Sequence, residues 1–142
     1  MKVLSIIKQT MADGPGIRNA IYVAGCGHEC PGCHNPQSWD FYNGQEMSVD
    51  EILNEVVEEG VDGITITGGD PVYQQKELAE LCRRLREKGK NIWVYTGFYF
   101  EDVKYLEFIK YINVLVDGPF IIDQRITDGF KGSANQRIIK LR

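Results

Sequence analysis

Three of the four cysteines in this 142-residue chain fall within eight positions: Cys26, Cys30 and Cys33, spaced C-x3-C-x2-C. Gly27, Pro31 and Gly32 keep the intervening backbone out of a helix and let it fold around whatever the thiols hold. Thiols at this spacing in a reducing compartment read as metal or cluster ligands rather than as disulfides. A structural zinc ion takes four protein ligands, whereas a cubane iron–sulfur cluster has four irons and can be held by three thiolates if something else takes the fourth. Three cysteines therefore imply either an open corner or a further protein ligand, and His28 and His34 keep a Cys3His zinc site in play. Cys82 stands apart. It shares an apolar helical face with Leu78, Leu81 and Leu85 at i, i+3, i+4, i+7 spacing and reads as a small buried hydrophobe.

The elements that position these residues follow from the hydrophobic pattern. At 43% hydrophobic residues the chain suits one domain, 1–142, with its own core. A net charge of −4 gives no basic field, so neither nucleic acid nor a membrane surface is an expected partner. The apolar run at the N-terminus is too short for a signal sequence or a membrane span, and a cytoplasmic location is expected. Strands are expected at 2–8, 19–24, 63–67, 91–95, 112–116 and 136–141. The S-x-x-E box of Ser48 and Glu51 opens a helix that Gly60 should end. A second helix is expected at 74–88, stopped by Gly89, and a third at 102–110. A helical turn at 36–39 and a turn at 42–45 complete the outline.

Strand and helix alternate, which predicts a mainly parallel sheet with helices outside. Glycine-rich or polar segments recur just after the strands: the cysteine loop, Gly68-Gly69-Asp70, Thr96-Gly97 and Asp117-Gly118. In a parallel α/β sheet those ends share one edge, where ligands bind. Five or six strands cannot close an eightfold barrel, so the expected architecture is a curved, partial (β/α) barrel.

The cysteine spacing after a strand, with Gly68-Gly69-Asp70-Pro71 closing the next, resembles the radical SAM superfamily. Further strings, in order, resemble the activating enzymes of anaerobic (class III) ribonucleoside-triphosphate reductases: DGPGIR at 13–18, GCGHECPGCHN at 25–35, TGGDP at 67–71, IWVYTG at 92–97, INVLVDG at 112–118 and GSANQ at 132–136. The short chain also suits this family, since activases of the formate-lyase type are longer. The resemblance implies a 4Fe-4S cluster on Cys26, Cys30 and Cys33, whose fourth iron takes the amino and carboxylate groups of S-adenosylmethionine. One electron, from a donor such as flavodoxin, then yields methionine and a 5′-deoxyadenosyl radical. The radical abstracts hydrogen from a backbone glycine of the reductase, and no protein acid or base is needed.

The resemblance also implies that Gly68, Gly69 and Asp70 receive the methionine part of the ligand. Residues without Cβ let its aminium approach backbone carbonyls, and the Asp70 carboxylate can pair with it. A plainer reading makes Asp70 the N-cap of a helix with Pro71 at its first position. Gly32, Cys33 and His34 are expected beside the adenosyl group. Arg18, Asn19, Ser133, Asn135 and Gln136 match family positions, Arg18 as a ligand contact or a salt-bridge partner. Asp117 either reaches the ribose or caps a turn, and Phe98-Tyr99-Phe100 either docks the partner or packs in the core. Alternative functions are activation of another glycyl radical enzyme, radical chemistry on a small molecule, and a zinc-stabilised binding module.

Overall fold

The computed structural model describes residues 1–28, 30–33, 39–40 and 42–142. Pro36 to Ser38 of the expected helical turn, and His34, lie outside these. Strands β1 (Lys2–Thr10), β2 (Arg18–Val23), β3 (Gln45–Glu46), β4 (Gly63–Gly68), β5 (Asn91–Tyr95), β6 (Val114–Asp117) and β7 (Arg137–Lys140) form one sheet in the order β3-β1-β2-β4-β5-β6-β7. β2, β4, β5 and β6 form a parallel central block; β1 and β7 flank it antiparallel, and β3 pairs antiparallel with β1. Only a short loop, 11–17, joins β1 to β2, too short for a parallel crossover.

The period of two separates the faces. Ile21, Val23, Ile64, Ile66, Ile92, Val94 and Leu115 meet α1 (Val49–Val56) and α2 (Gln75–Glu87) in one core. Leu78, Leu81, Cys82 and Leu85 of α2 are all fully buried there, each leucine contributing roughly 2 kcal/mol. Along the opposite face the register aligns Ala20 with Thr65 and Trp93, and Phe130 packs edge-on against Trp93 from a later loop. No helix among the described residues is long and apolar enough to cross a membrane.

The helices depart from expectation at their ends. The Ser48 box forms, with Glu51 N donating to Ser48 Oγ at 3.1 Å and Ser48 N donating to Glu51 Oε1 at 3.0 Å. But α1 stops at Val56, short of Gly60, and Val57 is extended. The Asn19 amide donates to the Val56 carbonyl at 2.8 Å and so takes up a terminal acceptor. The expected 102–110 helix splits into α3 (Phe100–Val103) and a 3-10 turn at Glu107–Lys110. Phe100 N donates to the Asp117 carboxylate at 2.7 Å, which starts α3 early, and an extended Leu106 breaks the helix before the turn.

Candidate functional site

The loops after β2, β4, β5 and β6 meet at the carboxyl edge around a cleft of about 180 Å³. Its lining includes Cys26, Cys30 and Cys33, then Gly68, Gly69 and Asp70, then Thr96, Gly97 and Gly118. The three cysteines are half-buried and not disulfide-bonded, while Cys82 is buried far along α2, where burial pushes its thiol pKa up. Gly69 N donates to the Val23 carbonyl at 2.8 Å and Asp70 N to Gly25 at 2.7 Å, so the start of the cysteine loop is sewn to the end of β4. Gly68 sits at φ +107, and a Cβ there would lie 2.4 Å from the Val23 backbone nitrogen. Only glycine permits that approach.

Asp70 is a fully buried hub. Oδ1 accepts from Val72 N at 3.0 Å, the cap of the 3-10 turn Pro71–Gln74 that leads into α2. The Thr96 hydroxyl lies 2.9 Å from both oxygens, Gly97 N donates to Oδ2 at 2.9 Å, and His28 Nε2 sits 2.7 Å from the same oxygen. The capping geometry is therefore present, and both oxygens are engaged by the chain's own groups. A ligand cation reaching Asp70 has to displace one of them. Sequence reasoning placed Thr96-Gly97 at this edge but missed the bonds of Thr96 and His28 to Asp70; for His28 the signal was a histidine lying between two cysteines.

The remaining family-matching residues are structural links. Arg18 is buried with no carboxylate partner among the described residues. Its guanidinium donates to Thr65 Oγ1 and to the carbonyls of Pro15, Ile64 and Asn91, at the opposite end of the strands from the cleft. Asp117, fully buried, caps α3 and pairs with Arg137, which also bridges Glu101. Gln136 accepts from Gly132 N and Ser133 N and donates to the Gly118 carbonyl, while Asn135 donates to Pro119. Gly132 and Gln136 thereby form one wall of the cleft. Phe98 and Phe100 pack against the core; Tyr99 remains 40% exposed.

Residues 12–139 match the family model described as a 4Fe-4S single cluster domain. The chain is 38% identical to the anaerobic ribonucleoside-triphosphate reductase-activating protein of Enterobacteria phage T4, over 89% of this chain and 85% of that protein. It is 36% identical to the protein of the same name from Escherichia coli, over 93% and 94%. The chain belongs to this activating-protein family. A relative in Haemophilus influenzae, 32% identical, spans 100% of this chain and 99% of its own length. The family's iron–sulfur cluster suits the donor set: three cysteines outside any disulfide share one cleft, and His28 Nε2 is already engaged by Asp70. Cys26, Cys30 and Cys33 are the residues that would hold it.

Proposed function

We propose that this chain is a radical SAM activase that installs the glycyl radical on an anaerobic ribonucleoside-triphosphate reductase. The observation that carries the reading is the meeting of the three thiols with Gly68, Gly69 and Asp70 in one cleft. When bound, the cluster supplies one electron to S-adenosylmethionine, giving methionine and a 5′-deoxyadenosyl radical that takes a hydrogen atom from a glycine of the reductase. The chain's residues bind and orient. Gly68 and Gly69 leave the end of β4 bare, so the methionine part of the ligand can lie against backbone. Gly32 and His34 flank the Cys33 ligand beside the adenosyl group. Asp70 works by position, fixing Thr96, Gly97 and His28 around the cleft. Tyr95 lines the cleft with a phenol whose pKa is raised by burial and by the nearby Asp13 carboxylate, so it stays protonated.

The same reading places the chain in the cytoplasm, with a flavodoxin-type electron donor and with the sheet curved as a partial (β/α) barrel around the cleft. Electron paramagnetic resonance tests it, on the anaerobically reconstituted, reduced protein mixed with S-adenosylmethionine and the reductase from the same source. A glycyl radical doublet that requires every component is the expected result. Accumulation of 5′-deoxyadenosine without a doublet would move the partner to another glycyl radical enzyme or a small molecule. A metal-loaded sample with no cluster signal would refute the proposal in favour of a zinc module.

A further inference from the structure

His28 lies between Cys26 and Cys30, yet its ring turns into the protein, with its side chain 16% exposed. The ring occupies a slot built for it. Nε2 meets Asp70 Oδ2 at 2.7 Å, and that carboxylate is 1% exposed. Phe98 stands edge-on at 4.5 Å between centroids and Tyr73 at 5.8 Å. The floor is Gly97, where a Cβ would come within 2.6 Å of His28 Cδ2. Tyr73 also closes over the neighbouring residue, since a Cβ on Gly27 would come within 2.6 Å of its hydroxyl. Three segments, the end of β4, the end of β5 and the Pro71–Gln74 turn, thus converge on one imidazole of the cysteine loop.

We infer that His28 is a positioning residue, a clamp whose hydrogen bond to Asp70 fixes the cysteine loop to the ends of β4 and β5. Through it the three thiols are presented at the cleft before the cluster arrives and are held there afterwards. A loop of eight residues with two glycines and a proline has little regular structure of its own; its start is tied by Asp70 N to the Gly25 carbonyl and by Cys26 N to the Trp39 carbonyl, while Cys33 N to Cys30 O is a turn within the loop. The buried hydrogen bond from His28 to Asp70 adds a side-chain tie at the middle of the loop, and breaking it leaves a desolvated carboxylate oxygen with one partner fewer. This role excludes His28 Nε2 as a metal ligand. The inference rests on the cluster site alone and not on S-adenosylmethionine cleavage, so either can fail without the other.

Hydrogen–deuterium exchange on the metal-free protein reads the clamp directly. His28→Phe keeps the ring packing and removes the nitrogen; amides of residues 26–33 should then exchange on the order of tenfold faster, as expected for losing one charge-assisted hydrogen bond. His28→Gln, whose amide nitrogen reaches the place of Nε2, should stay within about twofold of wild type if that bond is what holds the loop. After anaerobic reconstitution, iron release to a chelator should follow the same order, and the resonance of the reduced cluster should be the same in His28→Gln and wild type. Wild-type exchange in His28→Phe overturns the clamp. So does His28→Gln exchanging as fast as His28→Phe, and so does a nitrogen coupling to the cluster that His28→Gln removes. If His28→Phe does not fold, His28→Asn, one methylene too short to reach Asp70, is compared with His28→Gln by the same measurements. A protein that shows these differences but cleaves no S-adenosylmethionine would sink the proposed activity and leave the clamp standing.

Discussion

Replacing Arg18 separates a structural cation from a ligand contact. Its guanidinium is 3% exposed, makes four hydrogen bonds at 2.8 to 3.3 Å, and lies 5.5 Å from the centre of the Trp93 ring. Gly14 and Gly63 make room for it, since a Cβ on either would come within 2.8 Å of the side chain. Burial lowers its pKa from 12.5 to about 10. That shift represents roughly 3 kcal/mol of desolvation working against the folded state. Four hydrogen bonds from a charged donor, at about 1.5 kcal/mol each, contribute about 6 kcal/mol in the other direction. Arg18→Met gives up both terms, so the net loss should be about 3 kcal/mol. Arg18→Lys keeps the buried charge without the fork and should lose a similar amount. Anaerobic urea unfolding of the metal-free protein measures the difference. Arg18→Met within about 1 kcal/mol of wild type would refute the balance of terms. A fully stable Arg18→Met that no longer binds S-adenosylmethionine would restore the ligand contact.

Other substitutions have equally direct outcomes. Gly68→Ala combines φ +107 with a Cβ 2.4 Å from backbone, and should cost more than about 3 kcal/mol in thermal or urea unfolding. Gly16→Ala, at φ +72 with nothing within 4 Å, should cost only about 1 kcal/mol. Alanine at Cys26, Cys30 or Cys33 should abolish cluster-dependent S-adenosylmethionine cleavage, measured as 5′-deoxyadenosine. Cys82→Ala should retain it and lose about 1.5 kcal/mol of stability. Ser48→Ala should lose about 1 kcal/mol through its cap. Glu51 in the same box is held below its usual 4.5 by hydrogen bonds from Ser48. Its folded pKa is depressed, so its contribution is present above pH 4.5 and lost as pH falls through the lower folded value. The stability gap between wild type and Glu51→Gln should therefore close in acid; a gap that persists below the folded pKa contradicts the assignment.

Much of this was legible because local chemistry and long-range structure agree. Runs such as NAIYV and NIWVY read as strands from their local pattern and are strands in the sheet, and the α2 face reads the same in sequence and core. What stayed hidden has no local signal. The two residues of β3 are exposed and polar, and they are a strand only because Lys2 and Val3 pair with them. The direction of β1 and β7 is likewise set by their neighbours. The early end of α1 depends on Asn19, 37 residues away in sequence.

Asp70 shows where the boundary lies. An aspartate before a proline at a helix start announces its Oδ1 bond to Val72, two residues on. Its Oδ2 bonds come from Thr96, Gly97 and His28, 26, 27 and 42 residues away, and sequence spacing encodes none of them. The strings that mark the family divide in the same way. Those around Arg18 and Asp117 centre on buried polar links that hold strands and loops in place, so they report the frame, while Gln136 links loops and also walls the cleft. The cysteine loop and Gly68-Gly69-Asp70 line the cleft. Asp70, like Gln136, belongs to both sets, and Asp70→Asn should accordingly loosen the cysteine loop in the exchange experiment as well as weaken the fold. An Asp70→Asn protein that lost stability with the loop unchanged would mean that the two are not coupled through this carboxylate.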